Sequence, residues 1–506
     1  MILHQILAYW LDHTPEKTAL IYGDQQQTYQ QLSLRSQYLA AALSNKFDIQ
    51  KGERIGFLSS NCIEMVEVMF ALSRLGAIAV PLNIRLTAKE LEFIVSDCQL
   101  TTIFFRDSLK DLENALQGLV TIQNRIQFFG TPEEKVVAYE ELIQSGESMD
   151  FTPIDNLEEA DPLMLIYTSG TTGHPKGAIL SHGNNIWNCI NAIHILGMLQ
   201  KDISITILPL FHIGGWGCFL LPTLFQGGTV IMQEVFDPVQ IFQDVEKYEI
   251  SIFMGVPTIF NELQLHPQFE TANLSSVRIF ASGGAPCPVS LIETYQKKGY
   301  TLTQGFGMSE TSPVIFLMRP ADSFNNKGSV GKPAICCDAR IVDNDMNPLP
   351  PDTIGELVLR GNVICQGYWN RPEATAEATR GGWLHSGDLA YYDKNGFYYM
   401  VDRKKDMVLS GGENVYPAEV ESVLFQHPSV ADAAVFGIPH PKWDEVPVAA
   451  IVQKQGKELT AEILTDWCQD KLARYKQPKQ YFFRENLPKT ASGKTLKREL
   501  KEIYKT

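Results

Sequence analysis

Four aliphatic hydroxyls, three glycines and a lysine crowd into one short stretch of this chain, between Tyr167 and Gly177. The hydroxyls are Thr168, Ser169, Thr171 and Thr172, the glycines Gly170, Gly173 and Gly177, and the cation Lys176. A backbone relieved of Cβ atoms can approach a ligand closely, and successive N–H groups and hydroxyls suit anionic oxygens. The chemistry such a loop offers is the cradling of a polyphosphate. It does not follow the P-loop order, because no Gly-Lys-Ser/Thr stands at the required spacing. The bland reading of the same composition is a Ser/Thr/Gly surface loop. Position argues against it: the apolar run 163–167 reads as a strand, and α/β proteins bind ligands at the carboxyl ends of strands.

Further blocks follow along the chain: Ser-Gly-Gly-Ala-Pro at 282–286, Gln-Gly-Phe-Gly-Met-Ser-Glu at 304–310, Trp-Leu-His-Ser-Gly-Asp at 383–388, Asp-Arg-Lys-Lys-Asp at 402–406 and Pro-Lys-Thr-Ala-Ser-Gly-Lys at 488–494. With the loop at 168–177 they resemble the signature blocks of the acyl-adenylate-forming superfamily. That superfamily contains acyl-CoA synthetases, adenylation domains of peptide synthetases and firefly-type luciferases. One block alone is weak; these blocks, in the expected order over most of the chain, are specific.

The resemblance implies a first step in which a carboxylate attacks the α-phosphorus of ATP. Two anions then meet, so Mg²⁺ and cations must offset their repulsion. It places the ATP phosphates on Thr168, Ser169, Gly170, Thr171, Thr172 and Lys176, and magnesium on Thr168 and Glu310. The nucleotide is expected along Gly283, Gly284 and Ala285 and along Gln304, Gly305, Phe306, Gly307, Met308 and Ser309. Phe306 stands where tyrosine is usual and Ser309 where threonine is; each keeps the group the role needs. Asp388 matches an acceptor for both ribose hydroxyls, with Arg403 as a ribose or phosphate partner, and Lys494 matches the catalytic lysine of adenylation. The bland alternatives are a tight turn for the glycines, a solvated loop acid for Glu310 and a surface ion pair for Asp388 and Arg403. Only its motif singles out Lys494, because Lys489, Lys497 and Lys501 lie nearby.

The second step passes the acyl group to the thiol of coenzyme A, and the family rotates its small C-terminal domain between steps. Lys405 falls at the hinge position, and Ser410, Gly411, Gly412 and Glu413 resemble the loop that lines the pantetheine tunnel. The 436–445 segment, with Trp443, Asp444 and Glu445, departs from the family pattern. Runs at 211–215 and 254–258 match walls of the acyl pocket, where His212 is either a gate or a packed core histidine. Trp216, Val256, Phe306 and Met308 predict an apolar pocket with no assigned partner for a second carboxylate. The expected activity is therefore ligation of a medium- or long-chain fatty acid or an aryl-alkanoic acid to CoA. The alternatives are an o-succinylbenzoate-type ligase, an enzyme that loads a carrier-protein thiol, and a non-catalytic acyl or nucleotide binder.

The elements that must position these residues read as α/β. Short apolar runs such as 54–58, 78–82, 102–105, 229–232 and 252–254 predict interior strands with helices between them. Met65, Val68, Met69, Leu72 and Leu75 fall on one face of a helix over 64–75. Turn signals after 341 predict a small β-rich unit, and the last hundred residues an α+β unit. The expected architecture is a large N-terminal domain of covered sheets plus that β-rich unit (1–401), a hinge (402–406) and a smaller, mobile C-terminal domain (407–506). The 203–232 stretch is apolar, but Pro209, Gly214, Gly215, Gly217, Pro222, Gly227 and Gly228 interrupt it. It predicts a buried strand–loop–helix–strand, not a membrane span.

With 506 residues, 44% hydrophobic and 20% charged, the chain can bury a large core. A net charge of −15 argues against a broad grip on nucleic acid. The nine cysteines form no pattern with zinc spacing, and their scatter fits a reducing compartment. With an N-terminus lacking a basic start, this predicts a cytoplasmic protein whose partners are a carboxylic acid, ATP and CoA. The resemblance allows a homodimer.

Overall fold

Runs rich in Ile, Val and Phe pack as interior strands because a parallel strand covered on both faces needs apolar side chains on both. The computed structural model describes every residue except 117, 120, 153, 155, 169–174, 490–494 and 505–506, and all counts and absences refer to the described residues. Two units emerge: Met1–Asp338 with Leu359–Leu384, and Ala339–Val358 with His385–Thr506.

The first unit holds two large sheets. In the nine-stranded one, Thr18–Tyr22, Thr229–Met232, Ile203–Thr206, Ile252–Gly255, Ile279–Ser282 and Leu302–Phe306 lie side by side and parallel, with antiparallel strands added at both edges. In the seven-stranded one, parallel strands lead to Pro162–Thr168, and Lys176–Ser181 closes the edge antiparallel. The expected helix forms at Ile63–Leu75, but it is not one-faced: every residue in it is buried. It touches Thr18–Tyr22 of one sheet, Ile78–Pro81 of the other and the helix Tyr29–Phe47, which leaves no side for solvent. Its Glu67 is accommodated by Arg35, 2.5 Å away, and by the Tyr139 hydroxyl. The 203–232 stretch folds as the expected strand, helical segment and strand. No helix is long and apolar enough to cross a membrane.

The second unit carries most of a four-stranded sheet, Cys337–Val342, Gly355–Gly361, Leu384–Tyr392 and Tyr398–Arg403. A five-stranded sheet follows, built on the long antiparallel pair Val430–His440 and Asp444–Gln453, with Tyr481–Arg484 parallel to the latter. Helices Pro417–Phe425 and Ala461–Gln469 cover its core of Val420, Leu424, Val435, Ile451 and Leu464. The β-rich residues before 402 cluster with the C-terminal hundred, so 402–406 lies inside this unit. All nine cysteines are free thiols, and all but Cys336 and Cys337 are buried. Burial pushes Cys98, Cys287 and Cys365 up to about 12, so these thiols stay protonated and inert.

Candidate active site

The hydroxyl-rich segment is flanked by two paired antiparallel strands. Strands Pro162–Thr168 and Lys176–Ser181 pair with Tyr167 opposite Gly177 and Thr168 opposite Lys176. Thr168 and Lys176 therefore form the neck, and the Thr168 hydroxyl donates to the Lys176 carbonyl at 3.5 Å. Gly177 leaves room there for the Tyr167 ring, which a Cβ would approach to 3.1 Å. Ser169, Gly170, Thr171 and Thr172 lie outside the described residues.

A distant segment completes this neck. Gln366 N donates to Ile179 O at 3.0 Å, Ile179 N to Gly367 O at 2.9 Å and Trp369 N to Gly177 O at 2.8 Å. The pairing sets the Tyr368 ring 5.3 Å from Lys176 Nζ, a cation–π contact. The Tyr368 hydroxyl donates to Glu310 Oε1 at 2.8 Å, and Cys365 N donates to the Glu310 carbonyl at 2.8 Å. Sequence reasoning missed Tyr368. Its only signal was a Gly-Tyr-Trp run at 367–369, and nothing in spacing ties that run to Lys176 or Glu310. Burial, with the Glu310 charge adding to it, pushes the Tyr368 phenol up, so it remains a donor.

Glu310 is 6% exposed, which removes the reading of a solvated loop acid. Its loop folds back on itself: a Cβ on Gly307 would sit 1.4 Å from the Pro313 carbonyl oxygen, so only glycine fits. The Thr311 hydroxyl meets Met308 N at 2.9 Å and Pro313 O at 3.1 Å, and Ser312 donates to Val363 O at 2.8 Å. Gly305 and Phe306 end the strand Leu302–Phe306, while Gly283, Gly284 and Ala285 follow Ile279–Ser282; these parallel strands pair through Ser282 and Gln304. Both groups thus sit at carboxyl ends of neighbouring parallel strands. Gly284 has φ +80 and only Val256 near it, an open backbone edge. Phe306, Met308 and Ser309 are half-buried, so each keeps an accessible side. Gln304 is buried and spends its amide on the Ser329 carbonyl, 3.1 Å away, a structural use. The residues present suit a nucleotide: an open glycine edge at 284, one buried carboxylate at Glu310 and one cation at Lys176. The described residues hold no cluster of three His, Cys, Asp or Glu side chains placed to hold a metal.

His212 is half-buried at the start of the helical segment from Ile213, its ring 4.8 Å from Phe211. Beyond it, Leu208, Gly214, Cys218, Phe219 and Met254 line a narrow apolar cavity. Trp216 is not part of that lining. It is fully buried in the core and donates its indole N–H to Leu210 O at 2.5 Å.

In the second unit, Asp388 and Arg403 face each other across the strands Leu384–Tyr392 and Tyr398–Arg403. Arg403 Nε lies 2.7 Å from Asp388 Oδ1, with the two side chains 40% and 6% exposed. This is a buried carboxylate held by a half-open arginine, not a surface ion pair. Ser410 and Glu413 pair across a hairpin whose turn is Gly411 and Gly412, with φ +62 and +87. Two positive φ values in a two-residue turn demand Gly-Gly or a close equivalent. A Cβ on Gly411 would reach 2.7 Å from the Trp443 ring, so the divergent 436–445 segment packs on this turn. Lys405 is exposed in the turn after Arg403. Lys494 lies outside the described residues.

Comparison with known proteins matches these features to a family. Residues 7–369 fit the model for "AMP-binding enzyme", and residues 419–494 that for "AMP-binding enzyme C-terminal domain". A feruloyl-CoA synthase from Amycolatopsis is 38% identical, covering 97% of this chain and 96% of that protein. An indoleacetate–CoA ligase from Aromatoleum aromaticum is 34% identical over 98% of both. The o-succinylbenzoate CoA synthetase from Bacillus subtilis superposes with a TM-score of 0.87 at 34% identity, covering 98% of this chain and 97% of that one, and that structure holds its acyl-adenylate intermediate. The same enzyme is known with ATP and a magnesium ion. With the signature blocks in order and matches running the length of the chain, this protein belongs to the AMP-binding enzyme family, the acyl-adenylate-forming CoA ligases.

Proposed function

We propose that this chain joins an aromatic or aryl-alkanoic acid to coenzyme A through an acyl-AMP intermediate, releasing AMP and pyrophosphate. The observation that carries this reading is the Lys176–Tyr368–Glu310 unit at the neck of the hydroxyl-rich loop, a cation and an oriented acid placed for nucleotide chemistry. Thr168 and Glu310 would hold magnesium, which when bound draws charge from the phosphate oxygens. Lys176 neutralises phosphate charge, the 283–285 backbone and Phe306 lie along the base, and Asp388 accepts from the ribose hydroxyls with Arg403 fixing its orientation. Lys494 offsets the charge developing as the carboxylate attacks phosphorus. For the thiol step, 402–406 with Lys405 serves as hinge and Ser410–Glu413 as the pantetheine contact; His212 flanks the acid.

Relatives named for aromatic acids favour that class over fatty acids. A second reading is an acid with a distal carboxylate, because exposed Arg85 stands 5.9 Å over the Phe211 ring and supplies the cation that the sequence left unassigned. The unpaired thiols favour a reducing cytoplasm, and a homodimer belongs to the same reading. The test is a panel of ferulate, indoleacetate, 2-succinylbenzoate and octanoate with ATP, magnesium and free CoA, read as pyrophosphate and AMP. Turnover of the first two, weaker for octanoate, is expected. Preference for 2-succinylbenzoate selects the second reading, acyl-AMP without acyl-CoA selects a carrier-loading enzyme, and no AMP from any acid ends the proposal.

A further inference from the structure

One cation in the second unit is paired with an acid that the chemistry above does not use. Lys497, the first residue of the helix Lys497–Ile503, places Nζ 2.8 Å from Glu421 Oε1, with the side chains only 14% and 16% exposed. The same Glu421 oxygen accepts Val435 N at 2.7 Å. Asp402 and Asp406 also act on the Lys497 charge. Asp402 is itself fixed, accepting Arg403 N and Ala418 N at 2.7 Å each. Burial opposes charge on Lys497, but Glu421 and Asp402 outweigh it and raise its pKa. Burial pushes the Glu421 and Asp402 carboxyls up, and Lys497 is the charge that opposes this.

These groups come from three places with different duties. Asp402 and Asp406 bracket the turn read as the hinge. Glu421 belongs to Pro417–Phe425, the helix after the Gly411–Gly412 hairpin, and Lys497 stands three residues beyond Lys494 in sequence. We propose that Lys497 is a positioning residue whose ion pair with Glu421, on the helix whose Ala418 N donates to Asp402, anchors the chain leaving Lys494 to the 402–406 turn. This rests on the ligase reading for the duty of Lys494, whereas the anchoring itself does not. A buried pair kept only for stability would cost both half-reactions alike when broken. An anchor for Lys494 costs adenylation first, because small misplacements of a charge-stabilising group are expensive in rate.

Lys497→Met removes the charge and keeps the stem; Lys497→Arg keeps the charge. Hydrogen exchange of the 498–503 amides in the full chain is expected to quicken at least about tenfold in the Met variant and to stay near wild type in the Arg variant. With ferulate as probe acid, ATP–pyrophosphate exchange should fall roughly 10- to 100-fold in the Met variant. Thioester formation from supplied feruloyl-AMP should stay within about twofold, and arginine should restore most of the loss. If Lys497→Met does not fold, Lys497→Met/Glu421→Gln removes both charges without leaving a lone buried carboxylate and carries the same measurements. Unchanged exchange over 498–503, or equal slowing of both half-reactions in folded protein, overturns the proposal. A wild-type protein that forms no acyl-AMP from any acid defeats the ligase reading instead, and amide exchange still decides the anchor.

Discussion

Tyr368 does two things with one side chain: its ring faces the Lys176 ammonium and its hydroxyl holds Glu310. The two can be separated. Tyr368→Phe keeps the ring and loses the hydrogen bond, so acid-dependent pyrophosphate exchange should fall by about ten- to a hundredfold, the worth of one hydrogen bond to a charged group. Glu310→Gln should cost more, roughly 10²- to 10³-fold, as loss of a preorganised charge near the reacting phosphate does. Both are read by isotope exchange in protein of unchanged melting temperature; a Tyr368→Phe variant as active as wild type would show that Glu310 needs no orienting partner. Glu310, Asp388 and Lys176 were legible as candidates because their neighbours in sequence form recognisable blocks. Tyr368 was not, because its partners reach it only through pairing of 366–369 with the far edge of a sheet.

At the scale of elements, the loop around Glu310 tolerates no side chain at 307. Gly307→Ala puts a methyl where the Pro313 carbonyl stands, so the loss should exceed the roughly 1–3 kcal/mol of ordinary overpacking and appear as a collapsed melting temperature. A second element is sensitive to pH. Leu3 N donates to His182 Nδ1 at 3.3 Å, and the His4 ring places Nδ1 3.1 Å from the Ser73 carbonyl, so two imidazoles dock the N-terminal segment. Burial lowers His182 to about 3, and burial with Arg74 lowers His4 to about 4. Below about 6.5 the unfolded chain takes up protons that the fold refuses. Their stabilisation is therefore complete above that pH and declines as pH falls toward the folded values, by at most about 1.4 kcal/mol per pH unit for His182. Melting temperature should drop between pH 7.5 and 5.5, and drop less in a His4→Gln/His182→Gln variant; identical slopes would remove the histidines as the cause. The one-faced helix expected over 64–75 shows what periodicity hides: spacing identifies the face that must be buried, and only the neighbours decide whether the other faces are buried too.

For the whole molecule, two half-reactions imply separable defects. Lys494→Ala should abolish acyl-AMP formation and spare thioester formation from supplied acyl-AMP. Lys405→Pro should do the reverse and let acyl-AMP accumulate. Single-turnover assays of each half separate them, and equal loss of both in folded Lys494→Ala protein would dissolve the division of labour. Taken alone, the sequence determined the α/β class, the family and the order of the signature blocks, and it proposed the acid, lysine and glycine groups of the site, because local spacing and residue type carry that information. Tertiary structure alone decided that the strands flanking the hydroxyl-rich segment pair as a hairpin, that Tyr368 joins Lys176 and Glu310 beside them, that Trp216 is core and Trp443 packs on the Gly411–Gly412 turn, and that Lys497 pairs with Glu421. Each of these depends on pairing between residues far apart in the chain, and such pairing is set by how buried strands and charges find partners, not by the spacing of residues along the sequence.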